Sequence, residues 1–294
     1  MSSTKRLSVQ RAGWLDSVPP PVMIVISIAS VQLGASIAKQ LFPELGPSGV
    51  VFLRVGFSTL ILLGAWRPRL LGHSHSAYVT AVLFGVVLAA MNFAFYSALA
   101  RIPLGIAVTI EFVGPLGVAV TGSRRVLDLV WVVLAASGIL LLAPWTGGHL
   151  DPLGVLLALL AGVCWAAYIV LNAQLGRAFR GGSGLALSMA IAAIVLAPIG
   201  VPRDLIALAH PWLLLAGLGA AVLSSVIPYS LELEALRRIP THVFGILMSI
   251  EPAFAAFFGF IILHERLELR GLIAMLLVIA ATLGATTLGR QHSA

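Results

Sequence analysis

Two glutamates lie deep within apolar stretches of the chain. Glu111 follows Pro103 by eight residues, about 12 Å along a helix, and Glu251 follows Pro240 by eleven, about 16 Å. In a hydrocarbon core about 30 Å thick both depths approach the midplane, where a carboxylate costs a few kcal/mol and normally faces a bundle interior on an ion or substrate pathway. A structural pairing with a backbone donor or an arginine is the competing explanation, but an intramembrane ionisable group is a functional candidate by default. Proline sharpens the case. Pro115 cannot donate to the carbonyl of Glu111, nor Pro252 to that of Met248, so each glutamate sits beside an expected helix break. Carbonyls freed at membrane depth are tolerated only where protein or a cavity satisfies them. Glu111 and Glu251 are therefore the candidate proton carriers, with Pro115 and Pro252 as helix-break residues.

Lys39 and Arg54 bracket a short connection, with Gln32 seven residues before Lys39 on the same helical face and Ser58 one turn after Arg54. Either cation could receive an anionic group, although Lys39 could instead snorkel to the interface or pair with Glu44. Arg54 lies deeper and is always charged. Asn92 and Tyr96 stand one turn apart, and Ser225, Tyr229 and Glu232 follow an i, i+4, i+7 pattern. These are candidate cavity walls, or else interhelical hydrogen bonds worth about 0.6 kcal/mol each. The candidate substrate-binding set is thus Arg54, Lys39, Asn92, Tyr96, Glu111, Tyr229, Glu232 and Glu251. Glu234, three and four residues before Arg237 and Arg238, reads as a helix-end ion pair. The spacings Ser30-Gly34-Ala38 and Ala158-Gly162-Ala166 are stripes of small residues that let helices approach closely. No zinc-helix, nucleophile or phosphate-loop pattern occurs, so no metal and no other cofactor is expected.

The elements that must hold these residues follow from composition. Of 294 residues 60% are hydrophobic and 10% charged, with a mean hydropathy of +1.05, against roughly 45–50% and 25% in soluble domains. Breaks at Pro, Gly and charged residues leave ten apolar segments, near 21–40, 48–66, 77–99, 103–122, 127–145, 152–173, 184–201, 211–234, 241–263 and 267–288. At about 20 residues per span this predicts an all-α polytopic membrane protein of ten transmembrane helices, with the lipid bilayer as its surroundings. The short connections leave no room for a nucleotide-binding domain, and lysine occurs only at Lys5 and Lys39, so ATP is not the energy source. The net charge of +7 comes without a basic run or interleaved aromatics, which argues against a nucleic-acid partner. A single cysteine, Cys164, allows neither a disulfide nor a cysteine metal site within the chain.

Lys5, Arg6 and Arg11 precede what reads as an uncleaved first span. With a cytoplasmic N-terminus, the inner loops and tails hold Lys5, Arg6, Arg11, Arg67, Arg69, Arg124, Arg125, Arg177, Arg180, Arg237, Arg238 and Arg290, and the outer loops only Arg101, Arg203, Arg266 and Arg270. The positive-inside rule then places both tails, 1–20 and 289–294, in the cytoplasm. Shifted by 137 residues the chain partly superposes on itself: Arg101-Ile102-Pro103 on Arg238-Ile239-Pro240, Pro115 on Pro252, Asn92 on Tyr229. Five spans per half put matching positions on opposite membrane faces, so 21–145 and 152–288 read as inverted five-helix repeats. Such repeats are typical of secondary transporters, whose sites lie near the midplane.

The run Ser30-Val-Gln-Leu-Gly-Ala-Ser-Ile-Ala-Lys39, the segment Pro103-Leu-Gly-Ile-Ala-Val-Thr-Ile-Glu-Phe-Val-Gly-Pro115, Pro228-Tyr-Ser-Leu-Glu232 and Gly245-Ile-Leu-Met-Ser-Ile-Glu-Pro252 resemble the threonine and homoserine exporter family, in the EamA branch of the drug/metabolite transporter superfamily. The resemblance covers nearly the whole chain and implies a bacterial inner-membrane exporter of small amino acids, threonine and homoserine first. The residue chemistry is compatible. A zwitterion needs a cation for its carboxylate, Arg54 or Lys39, and an acid for its ammonium, Glu111 or Glu251. A buried glutamate that takes a proton when substrate leaves and releases it when substrate binds amounts to proton antiport. A multidrug or other metabolite exporter on the same fold is one alternative. An intramembrane enzyme using the two glutamates as acid and base is another, disfavoured by the lack of a nucleophile or metal set.

Overall fold

The computed structural model describes residues 18–68, 72–121, 126–142, 150–179, 181–208, 210–266 and 268–288. Most of both tails lies outside these residues, as do the loop cations Arg69, Arg124, Arg125 and Arg180. Regular structure among the described residues is helical throughout: α1 (Pro20–Gln40), α2 (Phe42–Trp66), α3 (His75–Leu99), α4 (Leu104–Glu111), α5 (Val113–Thr121), α6 (Val126–Leu142), α7 (Pro152–Ala178), α8 (Ser183–Leu208), α9 (Pro211–Ala221), α10 (Ile227–Arg238), α11 (Thr241–Met248), α12 (Glu251–Leu263) and α13 (Leu269–Leu288), with one π turn, Val222–Val226, joining α9 to α10. Among the described residues six stretches are long and apolar enough to cross a membrane: α1, α2, α3, α7, residues 183–200 of α8, and α9 through α10. Four shorter apolar stretches complete ten, at 104–118, 130–141, 251–263 and 269–284. The chain is a polytopic, all-helical membrane protein.

Local chemistry sets the helix ends. Pro20 and Pro152 open α1 and α7 at first-turn positions where a missing N–H costs nothing. The Asp151 carboxylate accepts from Leu153 N at 2.8 Å, and the Ser74 hydroxyl from Ala77 N at 3.2 Å. The second segment begins earlier than expected, at Phe42 rather than near 48. Gly46, at φ 66°, kinks the chain just ahead of Pro47 and lets a short turn precede the main helix.

Large apolar side chains face outward, with Ile194 and Leu215 72% and 71% exposed, while Ser27, Ser36, Ser58, Ser188 and Ser224 are wholly buried. Lipid solvates leucine as well as a core would, so close packing and interhelical hydrogen bonds carry the association of the helices. α2 lies along α8, α3 along α7, α6 along α13 and α1 along α10. The small-residue stripes sit at such crossings. A Cβ at Gly34 would stand 2.7 Å from Ser224 N, and one at Gly162 2.6 Å from the carbonyl of Glu111. Ser30 Oγ donates to Leu223 O at 2.6 Å, and Thr59 Oγ1 to Met189 O at 2.9 Å.

Two groups of contacts join described connections at the two ends of the bundle. Lys39 reaches Ile102 and Glu265, and Arg101 reaches Asp151, at one end. At the other, Arg237 donates to Gly181 O, and the Trp66 ring lies over Gly181 and Gly182.

Candidate functional site

The two apolar segments that carry Glu111 and Glu251 both break. The first leaves the helix at Phe112, between α4 and α5, and the second at Ser249–Ile250, between α11 and α12. Each break falls within three residues before its proline, Pro115 or Pro252, as the loss of a ladder donor requires. Glu111 becomes the last residue of α4 and Glu251 the first of α12, both buried. The carbonyl of Glu111, left without its intrahelical donor, lies against Gly162 of α7, where only the lack of a side chain leaves it room.

Beside the breaks is a cavity. α1 contributes Gln32, α2 Arg54, α3 Asn92 and Tyr96, α10 Tyr229 and Glu232, and the two broken segments Glu111 and Glu251. Trp165 and Tyr168 of α7 and Ser224 of the π turn complete the polar and aromatic wall, and Met91, Phe95 and Met248 are among its apolar lining. About 70 Å³ of it is open to the centre of a water molecule, where one water needs about 10–15 Å³, so the space is that of a small metabolite.

Arg54 is 2% exposed and bonds to no carboxylate among the described residues. Its Nη1 donates to Ser224 O at 3.1 Å and to Ser224 Oγ at 3.0 Å, and its Nη2 to Asn92 Oδ1. The amide of Asn92 is oriented by a bond from Nδ2 to Leu88 O at 2.7 Å. The guanidinium also stands 4.6 Å over the Tyr96 ring, a favourable cation–π arrangement in a desolvated site. Its Nε, like the Tyr96 hydroxyl, is buried and has no partner among the described residues. The three carboxyls differ in how they are held. Glu232 accepts from Ser27 Oγ at 2.7 Å and, on its other oxygen, from the Tyr168 hydroxyl at 3.5 Å. Glu251 accepts from Gln32 Nε2 at 2.9 Å, leaving Glu251 Oε2 and Gln32 Oε1 without partners. The carboxyl of Glu111 makes no hydrogen bond among the described residues.

The structure thus brings Arg54, Asn92, Tyr96, Glu111, Tyr229, Glu232 and Glu251 to one cavity and leaves Lys39 out of it. Lys39 Nζ bonds Glu265 Oε1 at 2.7 Å and Ile102 O at 3.1 Å, a pairing with Glu265 rather than with Glu44. Glu234 pairs with Arg237 and Arg238, as its spacing suggests.

The sequence is 45% identical over 286 residues to the threonine/homoserine exporter RhtA of Escherichia coli (strain K12), an alignment spanning 96% of this chain and 97% of that protein. It is 44% identical over 292 residues to threonine/homoserine exporter RhtA of Salmonella typhimurium (strain LT2), spanning 99% and 96%. Residues 152–287 match the EamA-like transporter family. The chain belongs to that family. A solved crystal structure, 18% identical in sequence, superposes with a TM-score of 0.60 over 93% of this chain and 99% of its own, a likeness of fold alone. That family is one of transporters, not of enzymes.

Two walls of the EamA-like cavity escaped sequence reasoning. Tyr168 sits on α7 one turn beyond Trp165, a face that sequence alone reads as packing; its nearness to Glu232 is a tertiary fact. Ser224, rather than Ser225, faces Arg54 because the π turn adds a residue to the helical repeat, so the lining runs Ser224, Tyr229, Glu232 at spacings of five and three. Ser225 is buried, with its hydroxyl unpartnered.

Proposed function

We propose that this protein exports small neutral amino acids, threonine and homoserine first, across the bacterial inner membrane in exchange for protons. The observation that carries the reading is the cavity's charge inventory. A single guanidinium with an unpartnered Nε lines a space that also holds three carboxyls, of which Glu232 alone has a donor on each oxygen. A zwitterion answers both ends, while a large apolar drug would leave these groups desolvated and unpaired. The relatives' name supplies the cargo. The carboxyls supply protonatable groups at the depth where exchange has to occur.

Support for two inverted halves, 21–145 and 152–288, comes from packing. The 137-residue offset relates α1 to α7, α2 to α8, α3 to α9 and α10, α4 to α11, α5 to α12 and α6 to α13. Neighbours repeat under that exchange: α3 lies on α7 as α10 lies on α1, and α4 on α12 as α11 on α5. Cytoplasmic termini follow from the loop cations. In a Cys164→Ser background, Arg266→Cys should react with an impermeant thiol reagent in intact cells and Ser76→Cys should not; the opposite pattern inverts the assignment.

The deciding experiment is transport by purified protein in liposomes, using an amino-acid panel with and without an imposed pH gradient. Threonine and homoserine should move, faster with the gradient, with protons moving the other way. If the panel stays put while a hydrophobic drug is carried, the amino-acid reading fails.

A further inference from the structure

The exchange reading needs a seat for the substrate ammonium, and the three carboxyls are not equivalent candidates for it. We propose that Gln32 and Glu251 together form that seat, which makes Gln32 a substrate-binding residue of this transporter. The proposal rests on the amino-acid reading above and specifies which atoms of the cavity read the amine.

An ammonium offers three donors and needs acceptors only. In Glu232 both oxygens already accept, from Ser27 and from Tyr168. Glu111 brings a lone carboxyl with no neighbouring acceptor bonded to it among the described residues. At Gln32 and Glu251, by contrast, one hydrogen bond of 2.9 Å fixes two side chains from different helices, α1 and α12, so that each retains one buried, unpartnered acceptor: Gln32 Oε1 and Glu251 Oε2. Both residues line the cavity, and both are more than nine-tenths buried. The amide orientation follows from the bond, since turning it over would set Gln32 Oε1 against a carboxylate oxygen with no hydrogen between them. A native structure seldom leaves two such atoms without partners on one hydrogen-bonded pair. An ammonium placed between them satisfies both. The unpartnered Nε of Arg54 and the Tyr96 hydroxyl are left for the carboxylate.

The seat ties cargo to architecture. Gln32 lies on α1, which packs along α12 and α10, and Glu251 begins α12 just past the helix break. An ammonium held by both joins an unbroken helix to the broken segment.

The test compares ligands with and without the amine. Purified wild type, Gln32→Met and Arg54→Gln would be assayed for displacement of radiolabelled threonine or, where that binds weakly, for direct binding of threonine, its amino-alcohol analogue lacking the carboxylate, and its hydroxy-acid analogue lacking the amine. Gln32→Met should weaken threonine and the amino alcohol about ten- to a hundredfold, the scale of a lost hydrogen bond to a charged group, and change the hydroxy acid less than about twofold. Arg54→Gln should do the reverse, sparing the amino alcohol. Unaltered binding of the hydroxy acid also shows that Gln32→Met is folded. Equal losses for all three ligands, or unchanged threonine binding, would overturn the seat while leaving export intact. Failure of the wild type to bind threonine or homoserine at all would sink the export reading itself, and the seat with it.

Discussion

On α1, Lys39 and Gln32 are seven residues apart, about 10 Å along the helix, and they belong to two charged regions built to opposite rules. Around Lys39 the charges are matched. Its ammonium holds Glu265 and the Ile102 carbonyl, and the second Glu265 oxygen accepts from Leu104 N at 2.8 Å, closing the first turn of α4. Around Gln32 they are not: Gln32 Oε1, Glu251 Oε2, Arg54 Nε and the Tyr96 hydroxyl are all buried and unsatisfied. Charges that join elements are consumed by their own protein. Charges kept for cargo must be held in place by some bonds and left open in others, as Arg54 is held by Ser224 and Asn92. An unmatched charge, taken by itself, is costly in a membrane; its persistence in the cavity marks where a ligand completes the structure.

The contrast breaks most severely at Arg54. Arg54→Leu removes the cation from a cavity with three carboxyls and should lower threonine efflux about a hundredfold or more, the scale of stripping one partner from a buried charged group. Arg54→Lys should fall between, since a lysine cannot reproduce the forked bonds to Ser224 and Asn92. Next come the glutamates beside the breaks. Glu111→Gln and Glu251→Gln keep volume and hydrogen bonding but carry no proton, and each should impair transport in inserted protein, with at least one abolishing the response to an imposed pH gradient. Wild-type gradient dependence in both would return them to a structural role.

The Lys39 cluster should behave as joinery. Lys39→Met leaves Glu265 part-buried and should lower stability by about 1–2 kcal/mol, read as the unfolding midpoint in detergent, with the KM for threonine unchanged. The double variant Lys39→Met/Glu265→Gln should recover part of that loss. A changed KM would erase the distinction between the regions.

The smallest effect belongs to Asp151, at the exposed cap of α7. The Arg101 guanidinium and the Leu153 N–H hold its carboxyl below the usual carboxylate range. A lowered folded value stabilises at pH above the unfolded value and is lost as pH falls through the folded one. Asp151→Asn should therefore reduce the thermal midpoint slightly at pH 7, and the difference from wild type should begin to shrink below about pH 4 and vanish only below the lowered folded value.

Much of this was legible from single residues. The ten spans could be read because twenty consecutive apolar residues have few other uses, and Glu111, Glu251 and Arg54 stood out because ionised groups at depth are rare. Proline marked the helix breaks to within three residues. Relations across the fold were not legible. Glu265 lies 226 residues from Lys39, so the local partner Glu44 looked as good. The π turn shifts the lining from Ser225 to Ser224 with no signature in Val222–Val226, and Gln32 acquires its role only when α12 brings Glu251 within 2.9 Å.

The charge inventory of the cavity has an electrical consequence. Arg54 is fixed by its hydrogen bonds, and a zwitterion carries no net charge, so in the proposed exchange the proton on a carboxyl is the only net charge that crosses. One proton entering per amino acid leaving moves one positive charge inward each cycle. A membrane potential of 100 mV, inside negative, is worth about 2.3 kcal/mol per charge, which is roughly a fiftyfold concentration ratio. A cell with no pH difference across its membrane would still expel its cargo on voltage alone, and valinomycin-clamped vesicles at equal pH should do the same.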